Sequence, residues 1–375
     1  MLRSSEQNAL RQLLVACALT DGSPIDAAVV RAVGNTIERL PEAVRYHGIG
    51  AGAWLGLQNA GLPDHLHEAL SQQHQRAMLW HLLMVGQLGR LGAALDEAGV
   101  EWLTFKGPVA SDTLYPRPDI RQYVDLDVLV AADQFATALD ATLSLRGKLI
   151  ENDWSDVLHA LKGELNVALR SGGVVDLHWS VLYDDHLRRQ FTWRDADLLS
   201  RRRLATLSDG TCVPTFDAND AFLHLLVHAC LAGGQRLGWM RDIQLAAEAR
   251  GVDADVVLDR ARAYGVDLCA GVMLRRTRAV LGVPAVASTL DDALAAGRRW
   301  PDLIAALDRL RPPSAWHGGQ LSGHIVIGST RRSSAASRRQ FVHRTREELD
   351  VLWSDPNHPW RRRWTVTKSV PQPAQ

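Results

Sequence analysis

Two aspartates separated by one residue, Asp125 and Asp127, interrupt the apolar run 124–130. In a β-strand, side chains alternate between faces, so both carboxylates would point one way and the valines and leucine the other, into a core. The residues expected in that core are Val124, Leu126, Val128 and Val130. Adjacent carboxylates repel each other unless cations neutralise them, and Mg²⁺ prefers carboxylate and phosphate oxygens. The run therefore predicts a magnesium site.

A second run, 174–180, repeats this design. Val175, Leu177 and Trp179 would share one face, and Asp176 and His178 the other. If the two strands are close, three carboxylates converge, which suits two metal ions holding the attacking and leaving oxygens of a phosphoryl transfer. His178 is a candidate general base, phosphate contact or metal ligand, and the alternative is a structural hydrogen bond within the sheet.

A possible phosphate-binding turn precedes the first run. Lys106 and Gly107 follow a short apolar strand and begin a helix-compatible segment. Glycine lets a phosphate approach the backbone, a helix N-terminus favours an anion, and Lys106 would add a point charge. Arg121 is placed to neutralise a further phosphate oxygen. Each motif alone is usually solvated and without function, so the prediction of a site rests on their combination.

The segments around these residues predict an α+β fold in which a small mixed sheet is flanked by helical regions. Helices are expected at 6–18, 24–39, 64–98, 133–145, 218–231, 240–249, 254–264 and 268–281, with Asp133 as a helix cap. Strands are expected at 100–105, 123–130, 164–170 and 174–180. The predicted units are 1–99, helical; 100–215, the sheet-containing core; 216–345, helical; and 346–375, a basic and flexible tail.

Composition limits the classes of partner. The 42 Lys and Arg residues balance the 42 Asp and Glu residues, which argues against a long nucleic acid as ligand. The four cysteines form no CxxC pair, as expected for reduced thiols in a cytoplasmic protein. The apolar run 13–19 fits an amphipathic helix better than a signal peptide, and no run reaches the length of a membrane span. The segment 360–364 could contact a nucleic acid or an acidic partner, although a solvated tail is the simpler interpretation.

Three other groups were weighed. His224 and His228 would share a helix face and could bind metal, but the absence of an evident third ligand favours a buried structural role. Asp217 is expected to cap a helix. Asp242 either faces a nucleotide cleft or interacts with the dipole of its helix, and the sequence does not separate these two readings.

At this point the chain resembles a known family. The segments FKGPVASDTLYPRPDIRQYVDLDVLV, VVDLHW and LGWMRDIQLAAE resemble an uncharacterised bacterial nucleotidyltransferase family of the DNA polymerase beta-like superfamily. The resemblance covers roughly residues 80–250. It implies that Lys106 and Gly107 form the phosphate turn, that Asp125 and Asp127 bind metal, and that Asp176 is the third carboxylate.

The sequence also departs from the superfamily. The usual Gly-Ser is Lys-Gly here, so a hydroxyl that often touches phosphate is missing. The leading hypothesis is transfer of a nucleoside monophosphate from an NTP, expected to be ATP, to an acceptor hydroxyl with Mg²⁺ or Mn²⁺. The acceptor would be a small molecule, a peptide or a protein. The alternatives are a catalytically weak nucleotide-binding accessory protein and a toxin-like enzyme that modifies RNA or protein. The oligomeric state is left open.

Overall fold

The computed structural model describes residues 4–150, 162–170 and 172–295, together with the single positions 301, 303, 304, 306 and 308. The predicted tail 346–375 lies outside the described residues, as does most of 296–345. None of the helices in the described ranges is both long and apolar enough to cross a membrane.

Helices on both sides of the sheet make up most of the described chain. The α-helices are α1 Ser4–Leu19, α2 Ala27–Ala32, α3 Leu40–His47, α4 Gly50–Leu57, α5 Asp64–Glu97, α6 Gly107–Leu114, α7 Phe135–Ser144, α8 Asp185–Gln190, α9 Asp195–Ser200, α10 Ala218–Leu231, α11 Leu237–Glu248, α12 Ala254–Tyr264, α13 Asp267–Val280 and α14 Ala285–Ala295. Two 3₁₀ helices, Gly34–Arg39 and Ala132–Gln134, precede α3 and α7.

The strands form one mixed sheet. They are β1 Trp102–Phe105, β2 Asp125–Val130, β3 Lys148–Leu149, β4 Glu164–Ala168, β5 Val174–His178, β6 Arg203–Thr206 and β7 Cys212–Thr215. Their order is β3-β4-β5-β2-β1-β7-β6. The central pair β2–β5 is parallel, and β1–β2 and β4–β5 are antiparallel. The predicted α+β class with a mixed sheet and flanking helices is confirmed.

The register of the central strands decides which side chains meet. Asp127 of β2 lies opposite Asp176 of β5. On the other side of β5, Asn166 pairs with Asp176, and Glu164 pairs with His178. Because paired residues in neighbouring strands point to the same face, all five polar side chains lie on one face of the sheet.

Both faces of the sheet are covered. Leu126, Val128 and Val130 pack with α5 and α7, whereas Leu129 and Phe105 belong to the core of the C-terminal helices. The carboxylate face is therefore the face turned towards the C-terminal helices. The expectation that Val124 is part of the core was wrong: β2 begins only at Asp125, and Val124 is 72% exposed.

Two other local predictions differ from the structure, and one hairpin was not predicted. The expected helix 24–39 is divided into α2 and a 3₁₀ helix. Asp133 is not a helix cap, because it lies inside a 3₁₀ turn and α7 begins after Gln134. The hairpin β6–β7 was not predicted, yet β7 pairs with β1 and extends the sheet beyond it.

Candidate active site

The turn between β1 and α6 has an unusual backbone. Lys106 adopts φ 55° and ψ −134°, and Gly107 adopts φ 35°. A positive φ is costly for lysine and persists only where the surrounding structure holds it. A Cβ at Gly107 would lie 3.3 Å from the carbonyl oxygen of Asp125, which is a tight contact. This conformation places Lys106 Nζ 2.8 Å from Asp127 Oδ1.

Asp127 is the most enclosed acid of the site, with a side chain that is 3% exposed. Its Oδ1 lies 3.3 Å from His178 Nε2 as well as next to Lys106. Burial would raise the pKa of Asp127, but Lys106 and His178 outweigh it and hold the pKa well below its usual range. Its Oδ2 is buried and has no hydrogen-bond partner among the described residues. One oxygen of an ionised carboxylate is thus left without a donor.

The pKa values of the neighbouring acids are shifted in the opposite direction, upwards. Burial, followed by the charges of Asp127 and Asp125, raises the pKa of Asp176 to about 6. Burial and Asp127 likewise raise the pKa of Asp125. Asn166 Nδ2 donates a hydrogen bond to Asp176 Oδ1, so this carboxylate is oriented even though its charge is poorly compensated. The carboxylates of the site together carry more negative charge than the neighbouring cations neutralise.

His178 is fixed between two carboxylates. Its Nδ1 lies 3.0 Å from Glu164 Oε2, an ion-pair contact that is not aligned as a hydrogen bond, and its Nε2 faces Asp127. Burial would lower the pKa of His178, but these two carboxylates raise it overall. Glu164 was missed by the sequence analysis. The alternation of Glu164 and Asn166 with Leu165 and Val167 was the signal that could have revealed it.

These residues fit a divalent cation. Asp127, Asp176 and His178 each offer one ligand atom, and the three atoms lie within 4.8 Å of one another. A bound cation would give the unpartnered oxygen of Asp127 a partner. It would also lower the raised pKa values of Asp125 and Asp176. Asp125 is not part of this closest group, although its charge acts on Asp176.

Arg121 lies in the cleft wall and is already paired. Its guanidinium makes two hydrogen bonds of 2.9 Å to Asp242, and its Nη1 donates to the carbonyl oxygen of Gly107 at 3.2 Å. Tyr115 also donates to Asp242, at 2.7 Å. Asp242 is among the residues that line the cleft, and its carboxylate is engaged by Arg121 and Tyr115. Direct contact between Arg121 and phosphate stays a prediction.

The site opens into a cleft of about 860 Å³. Lys106, Gly107, Asp125 and Asp127 line it on the side of the sheet, while residues from α3, α5 and α11 complete it. Its cationic residues are Arg45, Arg76, Lys106, Arg121 and Arg236. Its apolar surface includes Leu79, Trp80, Leu83, Val124 and Trp239. The cleft thus combines carboxylates, cations and apolar surface.

The remaining candidates have structural partners. His224 is buried, whereas His228 is half-buried and lines the cleft, and their rings stack with centroids 5.9 Å apart. Burial, and then the charge of Lys106, lowers the pKa of His228 to about 3, so it is neutral at physiological pH. Asp217 accepts a hydrogen bond from the backbone N–H of Asp220 and caps α10, as predicted.

Comparison with known proteins gives the family. A comparison with curated proteins finds no match. A family model described as an uncharacterised nucleotidyltransferase matches residues 34–282, about two thirds of the chain, and this range contains every strand of the sheet and the whole carboxylate group. The chain therefore belongs to this uncharacterised nucleotidyltransferase family.

Proposed function

We propose that this protein transfers a nucleoside monophosphate from an NTP, expected to be ATP, to a hydroxyl group of a small molecule, peptide or protein. The observation that carries the proposal is the parallel register that sets Asp127, a residue of the cleft lining, opposite Asp176, with a buried oxygen of Asp127 left without a partner among the described residues. In this reaction the acceptor oxygen bonds to the α-phosphorus, the bond to pyrophosphate breaks, and the hydroxyl proton passes to a base.

Asp125, Asp127 and Asp176 are proposed to hold Mg²⁺ or Mn²⁺. When bound, the metal supplies positive charge to the phosphate oxygens and to the attacking and leaving oxygens. His178 is assigned a positioning role, because its pKa is raised and an imidazole must lose its proton before it can bind metal. It holds Asp127 Oδ1, so that Oδ2 is turned to the ligand.

The phosphate chain is proposed to bind at the turn of Lys106 and Gly107. Lys106 Nζ is the cation closest to the carboxylates, and the first backbone N–H groups of α6 face an anion favourably. Arg121 supports this turn through the carbonyl oxygen of Gly107, while Asp242 balances its charge. Catalysis would come mainly from positioning and charge neutralisation.

Asp176 is oriented as a metal ligand by Asn166, which donates a hydrogen bond to its Oδ1. Its pKa is raised to about 6 without a cation, and a bound metal ion would lower it and keep the carboxylate ionised.

One observation favours a second function, a nucleotide-binding accessory protein with little catalysis. Lys106 occupies Asp127 Oδ1, where an active enzyme would want free carboxylate, and the Lys-Gly turn lacks the superfamily's hydroxyl. In that case the cleft would bind NTP, and Lys106 would remain on Asp127 instead of a metal ion.

The test uses NTPs labelled at the α-phosphate, Mg²⁺ or Mn²⁺, and a cell extract as the source of acceptor. Transfer is expected with wild type and to fall at least a hundredfold in Asp125→Asn and Asp127→Asn, because loss of one such electrostatic contact typically costs about 10²–10³ in rate. Asp133→Asn makes the same change at an exposed acid outside the cleft lining and should be silent.

Label transfer that persists in Asp127→Asn would reject the site. NTP binding without transfer by the wild type would favour the accessory protein. Transfer of label from the γ-phosphate, but not from the α-phosphate, would replace nucleotidyl transfer with phosphoryl transfer.

A further inference from the structure

The N-terminus of α11 opens into the cleft. Arg236, Gly238 and Trp239 line the cleft, and the side chain of Arg236, the N-cap residue of α11, makes no capping hydrogen bond. The N–H groups of a helix's first turn lack intrahelical acceptors, and together with the helix dipole they attract negative charge. This helix end is distinct from the N-terminus of α6, to which the phosphate turn belongs.

His47 lies beside this helix end, and its unsatisfied hydrogen-bonding capacity indicates that a ligand binds there. It is fully buried (0% exposed) and borders the cleft. Its Nδ1 accepts a hydrogen bond of 3.3 Å from the backbone N–H of Leu237. In a neutral imidazole the proton must then be on Nε2, which makes that atom a donor. Yet Nε2 has no hydrogen-bond partner among the described residues.

The imidazole is neutral at physiological pH. Burial, and then the nearby charge of Arg236, lowers the pKa of His47 to about 4. A buried donor without an acceptor costs free energy, and such groups are rare in folded proteins. An acceptor atom brought by a ligand would remove that cost.

Two arginines of the cleft carry positive charges that no acid among the described residues neutralises. Arg45 and Arg236 make no ion pair or hydrogen bond through their side chains with described residues. Arg236 is held by its ring contacts, with its guanidinium 5.0 Å from the Trp239 ring and 5.9 Å from the Tyr46 ring. A guanidinium presents paired donors that match the oxygens of a phosphate or carboxylate.

Close packing keeps His47 next to α11. A Cβ at Gly238 would lie 2.8 Å from the carbonyl oxygen of His47, so any side chain there would push the helix away. The hydrogen bond from Leu237 to His47 depends on the same approach. Gly238 thus maintains the short distance that brings the buried donor to the helix end.

We propose that His47 Nε2, the N-terminus of α11 and the guanidinium groups of Arg45 and Arg236 form a second anion site, which binds a phosphate or carboxylate group of the acceptor. The existence of this anion site stands on its own geometry. Its assignment to the acceptor rests on the proposed function, in which the NTP phosphates occupy the turn of Lys106 and Gly107.

The test follows the His47 ring directly. Protein labelled with ¹⁵N-histidine is titrated with inorganic phosphate, and in parallel with acetate, while long-range ¹H–¹⁵N spectra record the Nε2 signal. His47→Ala assigns the signal. The signal should report a neutral ring protonated at Nε2, and phosphate should shift it. The stronger of the two probes identifies the preferred anion.

Arginine variants give the matched comparison, and they keep the test valid if His47→Ala fails to fold. Arg45→Gln combined with Arg236→Gln should weaken phosphate binding roughly tenfold or more, as expected for lost charge-assisted hydrogen bonds. Arg90→Gln removes the same charge from an exposed part of α5 outside the cleft lining and should leave binding unchanged. No shift at His47 with either phosphate or acetate, or equal weakening in Arg90→Gln, would overturn the site.

Two further arms separate the sources of the anion. With saturating Mg²⁺ and a non-hydrolysable ATP analogue, a persisting phosphate shift supports the acceptor, whereas its loss assigns the site to the nucleotide and overturns the acceptor role. Asp127→Asn should keep the phosphate shift although it abolishes transfer. The failure of the anion site can therefore be distinguished from the failure of the proposed function.

Discussion

The cleft has two walls that carry opposite kinds of uncompensated polarity. On the sheet wall, where β2 lines the cleft and pairs with β5, acids crowd together, and the pKa values of Asp125 and Asp176 are raised. On the helical wall, formed by α3 and the start of α11, His47 presents an unpartnered donor beside Arg45 and Arg236. The first wall is complementary to a cation and the second to an anion. A reaction that joins a metal-bound nucleotide to an anionic acceptor would use both.

The bidentate pair of Arg121 and Asp242 joins these walls, because Arg121 precedes β2 and Asp242 belongs to α11. It differs from the pair of Lys106 and Asp127, which has a single contact between the two charges. The arginine pair is a fixed part of the cleft, whereas a single lysine contact can be exchanged for a ligand. The comparison predicts different outcomes for changes at each place.

The largest loss of stability is expected when the pair of Arg121 and Asp242 is broken. Arg121→Ala leaves Asp242 buried with Tyr115 as its remaining described donor, and removing one partner of a buried ion pair typically costs about 3–5 kcal/mol. The free energy of unfolding in urea should fall by that amount. Asp242→Ala combined with Arg121→Ala should recover part of the loss, because no buried charge is then left unpaired.

Arg117→Ala is the matched control, because it removes an arginine–aspartate pair at a side chain that is 50% exposed. Such surface pairs contribute at most about 1 kcal/mol. If Arg121→Ala costs no more than Arg117→Ala, the two walls are not joined by this pair.

A smaller effect is expected from acid on the helical wall. The pKa of His47 is lowered from its ordinary value of 6.5 to about 4, so between these pH values the unfolded chain binds more protons than the folded one. Stability should therefore fall as the pH drops from 6.5 towards 4, by about 1.4 kcal/mol per pH unit for this one histidine. Urea unfolding at several pH values measures the slope.

His47→Gln supplies the comparison, since glutamine can still accept from Leu237 but does not titrate. Its slope should be shallower than that of the wild type over the same range. His224 and His228, whose pKa values are also lowered, contribute to both proteins and cancel in the difference. Equal slopes would mean that His47 is not buried as a neutral ring.

The smallest change in the free energy of unfolding is expected on the sheet wall, where a substitution should stabilise the protein. Because the pKa of Asp176 is raised to about 6, its ionisation favours the unfolded chain as the pH rises through this value. In metal-free protein at pH 7, Asp176→Asn should therefore raise the free energy of unfolding by about 1 kcal/mol. The side-chain oxygen that accepts from Asn166 is retained.

The stabilisation by Asp176→Asn should disappear below about pH 3, where the wild-type carboxyl is largely protonated in both the folded and the unfolded state. Asp133→Asn, at an exposed acid, should change nothing at either pH. A destabilised Asp176→Asn protein at pH 7 would show that the sheet wall is compensated without a cation.

Alternation of side chains predicted that Asp125 and Asp127 share one face of their strand and that Asp176 and His178 share one face of theirs, because apolar residues on one face and polar residues on the other give a period of two. It did not show that β2 and β5 are parallel neighbours, which sets Asp127 opposite Asp176. Convergence was a condition in the sequence argument and became an observation only with the sheet order.

Other features depended on partners far away in the sequence. Arg121 and Asp242 each look like a surface charge, and their pairing across 121 positions is visible only in the fold. The strands β6 and β7 are short and lie at the sheet edge, Leu204 is 71% exposed, and Pro214 interrupts the pattern of β7. They have no strong local periodicity, so contact with β1 selects their conformation.

The position of Arg121 has a consequence for how ligands influence each other. The same guanidinium binds the Gly107 carbonyl oxygen of the turn and the Asp242 carboxylate of α11. A ligand that displaces α11 would therefore also displace the turn. By thermodynamic linkage, an acceptor that alters nucleotide affinity by some factor has its own affinity altered by the same factor. The strength of that cooperativity should therefore differ between the wild type and a variant that lacks the Arg121 side chain.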